Sequence, residues 1–193
     1  PNNVKKIKIG LLSDTHLGHI HDNINALDKM TEIFVEKGIN TVLHTGDFFQ
    51  GIYKEYLPYT KHNNSLEQIS YGLKNYPYDK NIATYICLGN HDVAFWLEDG
   101  IDIKSILMDR RHDLVPVGYG TVKINIGRNP IYLAHPIERY IIPNLPAVPY
   151  KSIKIKGHSH TYKIDAGNES LTVHLPTMSS NTPRSKKLIY RSF

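Results

Sequence analysis

Apolar positions along this chain fall into two regimes. Up to about residue 108, short apolar runs alternate with stretches of helical period. Residues 6–13 (Lys-Ile-Lys-Ile-Gly-Leu-Leu-Ser) turn fully apolar toward their end, as a strand buried on both faces does. Asp22 or Asn23 is placed to cap a helix in which Leu27, Met30, Ile33 and Phe34 share one face, and Gly38 supplies its stop. Residues 41–45 form the next strand. Ser65-Leu66-Glu67-Gln68 opens a second helix carrying Leu66, Ile69 and Leu73, halted before Pro77. Residues 82–88 read as a third strand and 101–108 as a third helix. A βαβαβα series predicts a mostly parallel sheet with helices packed on it.

The second half changes character. Residues 115–117, 121–126, 131–134, 153–156 and 171–174 are short strands separated by Gly, Asn and Pro. No helical pattern lies between residues 119 and 193. The two halves together carry one set of candidate ligands, which suggests two sheets packed into a single α/β sandwich. Residues 1–193 are accordingly read as one domain. The main irregular insertion, residues 48–64, carries Tyr53, Tyr56 and Tyr59.

Composition narrows the setting. A chain of 193 residues, 40% hydrophobic and 21% charged, can bury a sizeable core. No apolar run approaches the roughly 18 residues of a membrane span, so no membrane partner is expected. The single cysteine, Cys87, lies in an apolar strand and reads as a small core residue. It has no internal disulfide partner, which favours a cytoplasmic setting. The net charge of +5 suits an anionic substrate, although most of the positive charge is dispersed. The chain opens on Pro1 and stops at Phe193 after Leu188-Ile189-Tyr190, so a strand or more is expected beyond its C-terminus. Such a truncation could expose a sheet edge, which leaves the oligomeric state open.

Chemistry enters at the ends of the strands. Asp14-Thr15-His16, Gly46-Asp47, Gly89-Asn90-His91-Asp92, Ala134-His135 and Gly157-His158-Ser159-His160 each follow an apolar run. In open α/β sheets, ligands collect beyond the carboxyl ends of strands. Any one of these motifs alone could be an ordinary turn. Five in succession, each ending a strand, are hard to obtain from unrelated turns. Carboxylate, imidazole and amide oxygen suit manganese, iron or zinc, and no thiolate accompanies them. A catalytic centre with open positions therefore fits better than a structural zinc site.

Such a donor set matches phosphate ester hydrolysis. An anionic ester repels hydroxide, so the catalyst must supply positive charge and a nucleophile together. Two ions about 3.5–4 Å apart do both. A bridging carboxylate would set their spacing, and Asp47 is the choice here. His91 is placed to give the leaving oxygen a proton, with Asp92 expected to orient its ring. His19 and His21 are expected in a solvated loop, and His44 is expected to pack on its strand. His62, His112 and His174 have no carboxylate at ligand spacing.

The same blocks, Asp-x-His, Gly-Asp, Gly-Asn-His-Asp, a lone His and Gly-His-x-His, resemble the signature of the calcineurin-like metallophosphoesterase superfamily. The resemblance runs from Ile9 to about Thr161. It implies a four-layered α/β/β/α sandwich of two mixed sheets around two divalent metal ions, manganese first, with iron, zinc or nickel as alternatives. It implies one ion on Asp14, His16, Asp47 and His160, and the other on Asp47, Asn90, His135 and His158. His91 would contact the phosphate and protonate the leaving group. Gly51-Ile52-Tyr53, Tyr76-Pro77, Gly118-Tyr119 and residues 181–187 are similar to small microbial and phage-borne members, which implies a natural chain continuing past Phe193. Pro136, after the lone histidine, departs from many relatives and holds His135 extended.

The expected function is a metal-dependent phosphodiesterase or phosphatase acting on a phosphate ester. A nuclease acting on DNA or RNA is the first alternative. In that case Tyr53, Tyr56 and Tyr59 would stack on bases and Lys54 and Lys61 would meet phosphates. The competing expectation is that these tyrosines pack the insertion onto the core. A non-catalytic scaffold of the same fold is the second alternative, opposed by the complete ligand set.

Overall fold

The computed structural model describes residues 7–126, 129–137, 148–149, 152–167 and 170–179. Strands β1 (Gly10–Leu12), β2 (Thr41–His44), β3 (Ala83–Leu88) and β4 (Leu114–Tyr119) lie side by side in chain order, every pair parallel. Between them run helices α1 (Ile24–Glu36), α2 (Ser65–Asn75), α3 (Asn90–Asp99) and α4 (Ile103–Arg110). Asn23 caps α1 by accepting the N–H of Ala26. Asn64 caps α2 by accepting those of Leu66 and Glu67.

Side-chain alternation sorts the two faces of this sheet. Leu12, Val42, Ile86, Leu88 and Leu114 join Leu27, Phe34, Ile69, Phe95, Ile103 and Leu107 from the helices in one buried cluster. Leu43 and Cys87 point the other way and meet Leu133 and Ile155 of the second sheet and Leu175 just after it. Cys87 is thus the core residue expected.

The second sheet consists of β5 (Thr121–Ile126), β6 (Asn129–Ala134), β7 (Ile153–Lys156), β8 (Lys163–Gly167) and β9 (Ser170–His174), in the order β5-β6-β7-β9-β8. β6, β7 and β9 are parallel, while β5 and β8 are antiparallel to their neighbours. Gly120 joins the sheets: its N–H donates to the Leu88 carbonyl, and its own carbonyl accepts from the His135 N–H. The α/β sandwich of two sheets stands as expected, with the mixing of strand directions in the second.

Several elements differ from the sequence reading. Residues 115–117 belong to the first sheet as β4, where Pro116 is tolerated because β4 is the last strand. β8 had no counterpart, since it is exposed along its whole length and offers little apolar pattern. Helix α3 also went unread, because it starts inside the Gly-Asn-His-Asp motif and leaves Trp96 and Leu97 exposed. Ile33, assigned to the apolar face of α1, is exposed. The 181–187 segment and the expected C-terminal truncation lie outside the described residues. Among the described residues, no helix is long and apolar enough to cross a membrane.

Candidate metal centre

The loops leaving β1 and β2 run beside each other beyond the sheet. The N–H groups of Asp14, His16 and Leu17 donate to the carbonyls of Gly46, Asp47 and Phe48 at 2.9, 3.0 and 2.9 Å. Asp14 (φ 51°), His16 (φ 45°) and Asp47 (φ 51°) all take left-handed backbone, and so do His158 (φ 72°) and His160 (φ 54°). Among the described residues these five are the non-glycine positions with positive φ. Each is a candidate ligand. Residues with a Cβ avoid this region unless their surroundings hold them there.

The held residues converge. His160 Nε2 lies 3.2 Å from Asp14 Oδ1, and His16 Nε2 lies 3.3 Å from His160 Nε2. His135 Nε2 is 3.0 Å from Asp47 Oδ2 and 3.1 Å from Asn90 Oδ1, which is also 3.1 Å from His158 Nδ1. Asp47 Oδ2 is 3.9 Å from His16 Nε2 as well, so this carboxylate stands between the two groups. One nitrogen of His91 falls within 4.8 Å of donor atoms of His16 and Asp47. All seven predicted ligand residues and His91 thus meet at one place, drawn from both sheets.

Supporting bonds fix the carboxylates and rings. Ser13 Oγ donates to Asp14 Oδ2 and itself accepts from Thr45 Oγ1 at 2.8 Å. The N–H of His158 donates to both oxygens of Asp14 at 3.1 Å, and that of His91 to Asp47 Oδ1 at 2.9 Å. Thr177 Oγ1 donates to the Asp14 carbonyl at 2.8 Å. His135 Nδ1 donates to the Thr45 carbonyl at 2.7 Å, leaving Nε2 toward Asp47. Two motif glycines are required by close approach: a Cβ on Gly89 would collide with Asp47 Oδ1, and one on Gly157 with Ser13 Oγ.

Asp92 does something other than orient His91. Its carboxylate accepts the N–H groups of Gly89, Phe48 and Phe49 at 2.8, 3.2 and 2.9 Å, tying the start of α3 to the loop after β2. The partner of His91 Nδ1 is the Gln50 carbonyl at 2.5 Å. The N–H groups of the loop reach Asp92 first because it is fully buried at the third position of α3. His19 is also corrected: it is buried rather than solvated, and it stacks on Tyr59. His44 packs as expected, fully buried against Phe48 and Thr15.

Sequence reasoning missed Ser13, Thr45, Gln50 and Thr177. Ser13 and Thr45 adjoin the motifs and could have been suspected. Gln50 acts through its backbone and Thr177 through tertiary contact, so neither left a signal.

The electrostatics suit neutral imidazole donors and ionised carboxylates. Burial, with the neighbouring His91, holds His16 down to about 3. Burial alone would raise the Asp47 carboxyl, but His135 and His91 outweigh it and keep it well below the usual range. For Asp14 the same penalty is overcome first by the hydrogen bond from His160. His135 is the exception: burial disfavours its charge, yet the adjacent Asp47 carries it up to about 9. The Nδ1 atoms of His16 and His160 are buried without a hydrogen-bond partner, so the polar engagement of both rings is on the Nε2 side. A cation there would be met by two carboxylates, an amide oxygen and imidazole nitrogens, a donor set that fits a divalent ion of intermediate hardness.

The sequence matches the family described as calcineurin-like phosphoesterase over residues 7–177. The chain belongs to this family. Its members use divalent metal ions, and three clusters here could hold one: Asp14/His16/His160, His16/Asp47/His91 and Asp47/His135/His158. Among solved structures, an archaeal phosphodiesterase is 21% identical, with 88% of this chain and 83% of that one covered at a TM-score of 0.52. The phosphoesterase YfcE of E. coli is 17% identical, with 91% and 82% covered at a TM-score of 0.53. At these identities the likeness is one of fold. No curated protein sequence gave a significant match.

Proposed function

We propose that this calcineurin-like phosphoesterase is a dinuclear metal-dependent hydrolase of phosphodiesters or phosphomonoesters. Asp14, His16, Asp47 and His160 would hold one divalent ion, and Asp47, Asn90, His135 and His158 the other, with manganese the leading choice. When bound, such ions lower the pKa of water and offset the charge of the phosphoryl oxygens. The observation that carries this reading is the place of Asp47, whose Oδ2 is 3.0 Å from His135 Nε2 and 3.9 Å from His16 Nε2. A single carboxylate between two donor groups is what a shared ligand requires.

The chain's own residues supply the rest. Ser13 occupies Asp14 Oδ2, which leaves Oδ1 toward His16 and His160. His91, when it carries a proton on Nε2 as well as on Nδ1, would give the Nε2 proton to the departing oxygen, contributing a factor of about 10²–10⁴ when that oxygen is basic. In the insertion that a nucleic-acid substrate would meet, several side chains are already engaged within the chain. Tyr53 and Tyr56 pack on His91, Tyr59 packs on His19, and Lys61 is engaged by Asp22 and Tyr71.

Chelator-stripped protein assayed on bis-p-nitrophenyl phosphate and p-nitrophenyl phosphate, with and without manganese, tests the proposal. Metal-dependent turnover that Asp47→Asn abolishes is expected, and the ratio of the two rates assigns the ester class. Two bound ions with no turnover, or turnover that Asp47→Asn leaves intact, would overturn it.

A further inference from the structure

We propose that the insertion after β2 is a positioning frame for His91, with Tyr56 on the face of its ring, the Gln50 carbonyl at Nδ1, and Gln68 of α2 fixing the loop that presents that carbonyl. The proposal rests on the phosphoesterase reading for what His91 does, and on the geometry alone for how His91 is held.

A carbonyl oxygen only accepts, so the 2.5 Å contact between Gln50 and His91 Nδ1 requires the hydrogen on Nδ1. Nε2 is then the nitrogen left to exchange a proton with a substrate oxygen. Where the Gln50 carbonyl points depends on the next residue. Gly51 has left-handed backbone (φ 75°), and a Cβ there would collide with the His91 carbonyl oxygen. Gln68, fully buried, clamps Gly51 from both sides: its Oε1 accepts the Gly51 N–H at 2.7 Å, and its Nε2 donates to the Gly51 carbonyl at 3.2 Å. A buried primary amide with that pairing leaves the loop little freedom.

The ring face is closed by the same insertion. Residues Lys54–Tyr59 form a 3-10 segment, from which Tyr56 lies on His91 with centroids 5.2 Å apart and planes 29° from parallel. Tyr53 crosses the ring edge-on at 6.2 Å, and its hydroxyl donates to the Asn90 carbonyl at 3.1 Å. His16 contributes a third contact, edge-on at 4.7 Å. Tyr56 is 39% exposed, so core burial explains its place poorly, whereas restricting the rotation of His91 explains it well. Proton transfer depends on donor direction, and a ring free to turn about its Cβ–Cγ bond would lose much of that advantage.

The test compares the parent with Tyr56→Ala and Tyr56→Phe, each reloaded with manganese after chelation. The substrates are aryl phosphate esters whose leaving groups range from p-nitrophenolate, which departs unprotonated, to phenolate, which needs a proton. Tyr56→Ala should lower kcat about tenfold on the phenyl ester and under about twofold on the p-nitrophenyl ester, with KM and metal content unchanged. Tyr56→Phe, which keeps the ring, should restore the parent's values. An equal loss on every ester, or no loss on any, would overturn the proposal. A second measurement is independent of turnover: the imidazole ¹H–¹⁵N spectrum of the metal-free proteins, with His91 assigned by His91→Ala. At a pH where the ring is neutral, the parent and Tyr56→Phe should show His91 in the Nδ1–H tautomer alone, and Tyr56→Ala a mixture of tautomers. If no protein hydrolyses any ester, the function reading fails and the spectra alone judge the frame. An unchanged Tyr56→Ala spectrum would then sink it.

Discussion

Left-handed backbone at Asp14, His16, Asp47, His158 and His160 is the most telling feature at the scale of single residues. Each such position costs about 1–2 kcal/mol, since Cβ crowds the following carbonyl. Thr177 and the Met178 N–H, both on the Asp14 carbonyl, are among the contacts that offset it. Two glycines separate close packing that serves the site from ordinary turn chemistry. Gly89→Ala should weaken manganese binding roughly 10–100-fold, because the new Cβ would push Asp47 Oδ1 aside. Gly100→Ala, at positive φ (68°) with nothing within 4 Å of its Cβ, should cost about 1 kcal/mol of stability and leave binding intact. Titration calorimetry with manganese and chemical denaturation of both variants would check the contrast. The metal-site candidates were legible in sequence because each ends an apolar run in a polar side chain of ligand type. Gln50 and Gln68 were not, and Tyr56 was singled out only for bases or the core, since their roles through a carbonyl, a clamp and a stack on His91 exist only once the loop folds onto α3.

Among elements, α3 is the junction that sequence periodicity missed and the site cannot do without. It starts at Asn90, places His91 one residue later, and anchors the loop after β2 through Asp92. Burial and the nearby charge of Asp47 push the Asp92 carboxyl up to about 7, against the pull of three backbone N–H donors. Asp92→Ala leaves those donors buried without an acceptor, which should cost about 3 kcal/mol of stability. It should also disturb Asp47, two residues before Phe49, and so reduce metal content. Asp92→Asn keeps an acceptor in place and should lose less on both counts. Denaturant midpoints with metal analysis would decide, and an Asp92→Ala protein as stable as the parent would refute the anchoring role. The strands of the first sheet were readable because a parallel strand buried on both faces is continuously apolar. α3 was not, because its buried residues Asp92 to Phe95 are consecutive and its later turns are exposed, which blurs the helical stripe.

At the scale of the molecule, the centre joins the two sheets. Asp14, His16, Asp47 and Asn90 follow strands of the first sheet, while His135, His158 and His160 follow strands of the second. An ion bound by both sets would act as a staple, so metal should raise thermal stability with the logarithm of its excess over Kd. The proton on His135 makes this pH-dependent. Burial opposes that charge but the Asp47 carboxylate prevails, lifting the imidazole from 6.5 to about 9 in the metal-free protein. The His135–Asp47 pair therefore supports the metal-free fold fully below pH 6.5, and that support fades as pH rises toward 9. A metal needs the neutral ring, so between those limits binding must expel one proton. Apparent affinity should rise about tenfold per pH unit through this window and level off above it. Both effects run the same way: the gain in melting temperature on adding manganese to chelator-stripped protein should be larger at pH 8.5 than at pH 6.5. Replacing His135 by glutamine removes the expelled proton and should flatten the pH dependence while weakening binding overall. A gain in melting temperature independent of pH in the parent would mean that His135 is already neutral, or that it does not face the ion.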